Sequence, residues 1–170
     1  LAYTSFDQVG NREKIRRDLL NSGFRVIPEK PIKASNPEAM KSEIDSMLQE
    51  SILSIHIWGA DQTDSIGDTD LVGFQNKTAA EYAGQNKLSR LIWLSPDLKP
   101  SKEQEKEIEL LKRNADLLTG GEIVKAPIEI LKSLIYTKAN EISQSTIEKD
   151  QGVYLVYDPD ESGKVEAIKV

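Results

Sequence analysis

Two stretches of nearly unbroken apolar sequence, ILSIHIWG at 52–59 and RLIWLSP at 90–96, most constrain the fold. A strand exposed on one face alternates polar and apolar residues, so a run that is apolar throughout must be covered on both faces. Strands of that kind belong to parallel sheets, whose crossover helices lie over both faces. The rest of the chain supplies such helices. Ile15, Leu19 and Leu20 share one side of a helix that Gly23 ends. Met40, Ile44, Met47 and Leu48 form the stripe of a second helix, started by Asn36-Pro37-Glu38. Ile108, Leu111, Ala115 and Leu118 recur at helical spacing after the second apolar run. Leu131, Leu134, Ile135 and Ile142 do so after Pro127. Between them AYTSF (2–6), FRVIP (24–28) and EIVKA (122–126) read as shorter strands.

Five strands alternating with amphipathic helices predict an α/β fold: a five-stranded parallel sheet with helices on both faces, in the flavodoxin-like order 2-1-3-4-5. Ligands in such a sheet bind beyond the carboxyl ends of the strands, where the order reverses. Here that edge carries Ser5 and Phe6 after the first strand, Trp58 and Gly59 after the third, and the loop EKPIKASNPE. Residues 1–142 read as the domain, the polar stretch 143–152 as a linker, and 153–170 as the start of a following domain or a sheet-edge extension. Val153, Leu155 and Tyr157 give the last segment one apolar face. The chain opens on Leu1 rather than Met and ends inside an apolar pattern, which reads as a fragment of a longer protein.

Composition excludes several classes. A net charge of -6 does not suit a broad nucleic-acid surface, which needs basic residues to neutralise phosphates. The chain has no cysteine, hence no disulfide framework and no thiolate metal site, as suits the cytoplasm. No apolar run approaches the roughly 20 residues of a membrane span. Asp61, Asp64, Asp68 and Asp70 lack the spacing and closing glutamate of a calcium loop, so Asp70 is expected as a helix cap and no metal is expected. His56, the one histidine, falls inside a buried strand and is expected to be a hydrogen-bonded core residue. There is no phosphate-binding glycine loop and no Ser/His/Asp set.

The segments AYTSFDQVGNREKIRRDLLNSGFRVIP, EKPIKASNPE, ESILSIHIWG and LSRLIWLSPDL, in that order, resemble a TIR domain of the bacterial branch over roughly residues 2–142. The resemblance implies self-association through the EKPIKASNPE loop, with Pro31 and Ile32 as its exposed apolar residues. It also implies an effector role in bacterial defence, within a longer chain whose further domains are partners. In some members it implies cleavage of NAD at the nicotinamide–ribose bond, with NAD as substrate rather than cofactor. That reaction needs a carboxylate near the ribose to stabilise an oxocarbenium-like transition state. TIR enzymes carry it as a glutamate on the third helix, followed at +1, +4 and +5 by residues that pack on the sheet.

In LVGFQNKTAAEYA the small residues Asn76, Ala79, Ala80 and Ala83 fall at those offsets, and at +8, from Gln75. By helical phase the glutamate position is therefore Gln75, which can hydrogen-bond but carries no charge. The carboxylate within the helix body is Glu81, opposite the alanine face and four residues after Lys77, an arrangement that also suits a surface ion pair. Both residues stay candidates. Asp7 and Gln8 stand where some members place basic residues, while Arg12, Arg16 and Arg17 read as a solvated helix face. Trp58 is placed to stack on nicotinamide or adenine or to pack in the core. Three functions follow: a TIR-like effector that self-associates and cleaves NAD, an interaction module without catalysis, and a nucleoside deoxyribosyltransferase-like enzyme.

Overall fold

The computed structural model describes residues 1–29, 32, 36–60, 65–66 and 69–150. The fold is α/β; among the described residues it has five α-helices and a three-stranded parallel sheet. The sheet consists of β1 (Leu53–Trp58), β4 (Ser89–Leu94) and β5 (Gly121–Lys125) in the order β1-β4-β5. Leu53 lies opposite Ser89 and Trp58 opposite Leu94, while Arg90 lies opposite Gly121 and Leu94 opposite Lys125. Within the acidic loop, β2 (Ser65–Ile66) and β3 (Thr69–Asp70) form a two-residue antiparallel pair.

The helices are α1 (Val9–Asn21), α2 (Pro37–Gln49), α3 (Leu71–Asn86), α4 (Lys102–Arg113) and α5 (Ile128–Asp150). Their starts follow from capping chemistry. Asn36 accepts the Ala39 N–H with Pro37 behind it, Asp70 accepts the Gly73 N–H at 2.8 Å, and Ser101 accepts the Gln104 N–H. Gly120 is required by both conformation and space: it has φ +66, and a Cβ there would lie 2.5 Å from the Leu88 carbonyl oxygen.

The β-strand period of two sends alternate residues of β1 and β4 to opposite faces. Ile55, Ile57, Leu91 and Trp93 meet Ile15 and Leu19 of α1 and Leu131 and Ile135 of α5. On the other face, Trp58, Ile92 and Leu94 meet Val72 of α3 and Ile108 and Leu111 of α4. Beside them, Met40, Ile44 and Leu48 of α2 pack on Ala79 and Ala83 of α3. Truncating a wholly buried leucine such as Leu131 to alanine costs about 2–5 kcal/mol.

The sequence predicts five strands in the sheet, and the described residues form three. The stretches 2–6 and 24–28 make isolated contacts rather than ladders. The Ala2 N–H donates to the Ile55 carbonyl at 2.9 Å and the Leu1 nitrogen to the Ile27 carbonyl at 2.8 Å. Thr4 reaches β1 through its hydroxyl, which donates to the Ile57 carbonyl at 2.7 Å. Phe6 to Gln8 then turn as a 3-10 helix, which ends the extended segment. The backbone from Ser143 to Asp150, read from sequence as a linker, continues α5. Residues 151–170, with the expected strand at 153, lie outside the described residues. Among the described residues no helix is long and apolar enough to cross a membrane.

Candidate functional site

At the carboxyl end of β1 the chain passes Gly59 against the 5–8 turn with no room between. A Cβ on Gly59 would lie 1.7 Å from the Ser5 hydroxyl oxygen and 2.3 Å from an Asp7 carboxylate oxygen. Asp7 accepts the Ala60 N–H at 3.0 Å and the Gln8 side-chain amide at 2.8 Å. Partial burial pushes the Asp7 carboxyl up, but the hydrogen bonds it receives outweigh that and hold it below the usual carboxylate range. Next to this ionised group stands Phe6, 96% exposed. Ser5 and Gly59 are both buried here.

Trp58 does not face this surface. Its ring is buried among Val72, Ile92, Leu94, Ile108 and Leu111, so the core reading describes it and a stacking role has no ring to use. His56 is likewise buried, with its Nε2 2.8 Å from the Ser54 hydroxyl. Burial, with the Arg90 charge adding to it, lowers its pKa well below the ordinary value, so it is neutral.

The helical phase of α3 is as the sequence predicts: Gln75, Asn76, Ala79, Ala80 and Ala83 are all buried. Both ends of the Gln75 amide are occupied. Its Oε1 accepts the Tyr3 N–H at 3.0 Å, and its Nε2 donates to the Leu71 carbonyl at 3.2 Å. Gln75 also lines a cleft of about 40 Å³ with Ser54, His56, Pro28 and Ile32. Glu81 sits elsewhere. Its side chain is 48% exposed and takes the Lys41 ammonium of α2 at 2.7 Å, so its partner comes from the neighbouring helix rather than from Lys77. Six residues separate Gln75 from Glu81, about 9 Å along the axis. The two candidates therefore do not converge on one site.

Of the expected assembly loop, Pro31 lies outside the described residues. Ile32 differs from its expectation as an exposed residue. It is half-buried against the cluster formed by Met40, Ile44, Leu48 and Ala79, because the hydrophobic seam between α2 and α3 opens beneath it. Its N–H donates to the Tyr3 hydroxyl at 2.7 Å. Tyr3 thus spans from α3 to the loop, with the Arg12 guanidinium 5.2 Å from its ring centroid. Asp70 caps α3 as expected; Asp61, Asp64 and Asp68 lie outside the described residues.

Sequence reasoning missed three residues that shape this region. Tyr3 and Asp7 sit in a segment read only as strand and departure from a motif. Arg90 opens an apolar run, a position that reads as a boundary. It is in fact 1% exposed, donating to the carbonyls of Leu117, Thr119 and Asn76 and to the Asn76 side-chain oxygen. Burial lowers its pKa to about 10, so it stays charged at neutral pH. A charged residue heading a strand that is otherwise apolar was the available signal. Comparison with family models, with curated proteins and with solved structures returns no match for this chain.

Proposed function

We propose that this chain is a TIR-like domain of a larger bacterial defence protein, acting in the cytoplasm by homotypic assembly, with no catalytic carboxylate on α3. The observation that carries this reading is the state of Gln75. It occupies the glutamate register, is uncharged, and has its amide committed to the backbones of Tyr3 and Leu71. The other candidate on the helix, Glu81, is paired with Lys41 on the α2 flank. The extended segments beside β1, bonded at Ala2 and Leu1, support extending the three-stranded sheet to five in the order 2-1-3-4-5. Ile32 packs on the apolar seam between α2 and α3, which fixes one residue of the segment through which assembly is proposed.

Incubation of the assembled full-length protein with NAD, and separately with deoxynucleosides, tests the reading by chromatography of released base. Neither nicotinamide release nor base exchange is expected. Pro31→Asp is expected to abolish oligomers in sedimentation while leaving the thermal melt unchanged; unaltered assembly would make the loop a simple connection.

A second reading, cleavage of NAD, has one observation in its favour. Asp7 is an ionised carboxylate at the carboxyl edge beside a bare aromatic ring, Phe6. Under that reading nicotinamide is released, Asp7→Asn abolishes the release, and Gln75→Ala and Glu81→Ala retain it.

A further inference from the structure

Phe6, Val9 and Leu20 are 96%, 45% and 43% exposed, and they make up half of the exposed large apolar side chains among the described residues. Val9 and Leu20 belong to α1, and Phe6 lies one turn before its start. At 3.6 residues per turn, Val9, Glu13, Arg16 and Leu20 fall within about 60° of one another. Their stripe lies about 110° round the helix from Ile15 and Leu19, which are buried in the core. We infer that this stripe is a contact for a second copy of the chain, the two α1 helices lying antiparallel about a two-fold axis.

The register follows from the sequence. Spacing along the stripe is 4-3-4, which reads the same in either direction. An antiparallel two-fold pair therefore sets Val9 on Leu20 of the second copy and Glu13 on its Arg16, each contact occurring twice. Apolar ends meet apolar ends, and opposite charges meet at the centre. A parallel pair would instead set Glu13 on Glu13 and Arg16 on Arg16, like charge on like. Within one copy, Arg16 stands 3.8 Å from one Glu13 carboxylate oxygen and Arg12 holds the other at 2.9 Å. The second copy's Arg16 extends that alternation across the seam.

Two glycines clear the approach. A Cβ on Gly10 or on Gly23 would meet nothing within 4 Å, so both face open space. In this register Phe6 falls level with Gly23 of the second copy, where no side chain obstructs its ring. Lys14 and Arg17 lie about 130° and 70° from the centre of the stripe, outside the seam. From Val9 to Leu20 the stripe runs about 16 Å along the axis. A patch of that length makes a weak contact alone. It gains strength where the 30–35 loop has already gathered copies, through their raised effective concentration. The inference goes beyond assembly through that loop and is tested without it.

The test uses the whole chain carrying Pro31→Asp, at the high concentrations of NMR and sedimentation equilibrium. A weak, concentration-dependent dimer is expected. Glu13→Arg and Arg16→Glu, each added alone, should weaken it by about tenfold or more, because each sets like charges together at both contacts. Mixed in equal amounts, the two variants should recover most of the parental affinity, since the mixed pair restores both opposite-charge contacts. Neither misfolding nor a contact elsewhere produces that rescue. Should either reversal unfold the chain, Val9→Cys mixed with Leu20→Cys gives a second readout, because the chain has no cysteine. Disulfide between unlike chains should form in preference to disulfide between like chains, whose thiols stand about 16 Å apart along the axis. A parental chain that stays monomeric, folded reversals without effect, a folded mixture that does not recover, or like-chain disulfides formed as readily would each overturn the inference. Loss of loop assembly on Pro31→Asp is read separately at low concentration, so either contact can fail without the other.

Discussion

Gln75 on α3 holds Tyr3 by its backbone N–H at 3.0 Å, and Tyr3 in turn holds Ile32 by its hydroxyl at 2.7 Å. One buried amide therefore positions the first extended segment and, through it, the anchor of the 30–35 loop. Gln75→Ala leaves the Tyr3 N–H without its acceptor, at a cost of about 1–3 kcal/mol. Urea unfolding should show that loss with an unchanged slope, and the Tyr3 amide should exchange faster.

Tyr3→Phe removes the acceptor for the Ile32 N–H and should cost about 0.5–1.5 kcal/mol. Burial raises the Tyr3 pKa above 10.0, with the Ile32 hydrogen bond and the Arg12 charge opposing. A raised folded pKa means stability present below the unfolded value and lost as pH rises through the folded one. The wild type should therefore lose more stability than Tyr3→Phe as pH rises past 10.0, read from melts at matched ionic strength.

Asp7 behaves in the opposite sense. Its folded pKa lies below 3.8, so its contribution is present above that value and is lost as pH falls through the folded pKa. Asp7→Asn keeps an acceptor for the Ala60 N–H but cannot titrate. Its acid unfolding curve should be shallower than that of the wild type below pH 3.8.

Gly59→Ala forces a Cβ onto Ser5 and Asp7 and should cost about 1–3 kcal/mol through backbone and side-chain displacement. Ser5→Gly in the same chain should recover part of that loss, because it removes the nearest obstructing atom. Calorimetry of the single and double variants reads the recovery directly.

Lys41→Ala should change stability by no more than about 1 kcal/mol, since the pair with Glu81 is half-exposed and screened by salt. A larger loss in chemical denaturation would show that the α2–α3 seam depends on this contact.

Burial on α3 was legible because it depends on phase alone: small residues at fixed offsets from Gln75 must share a face. The parallel core was legible for a similar reason, in the continuous apolar runs of β1 and β4. The partner of Glu81 was not, because sequence spacing pairs residues within one helix and the contact comes from Lys41 on another. Nor was the fate of 2–6 and 24–28. Ladder formation depends on how the neighbouring backbone approaches, and these stretches spend their bonds singly, through Thr4, Ala2 and Leu1. Ile32 was misread because exposure of a loop residue is decided by the seam beneath it, which no local pattern reports.

Arg90 carries a fixed positive charge into the core, and every acceptor around it is an uncharged oxygen from Asn76, Leu117 or Thr119. Separating α3 from the 117–119 turn would strand several donors of that guanidinium in apolar surroundings at once. Partial opening at this corner therefore has no stable intermediate, and the second turn of α3, β4 and the turn form a single cooperative unit. Their amides should exchange together, only when the whole domain unfolds, while the sheet's other margin frays independently.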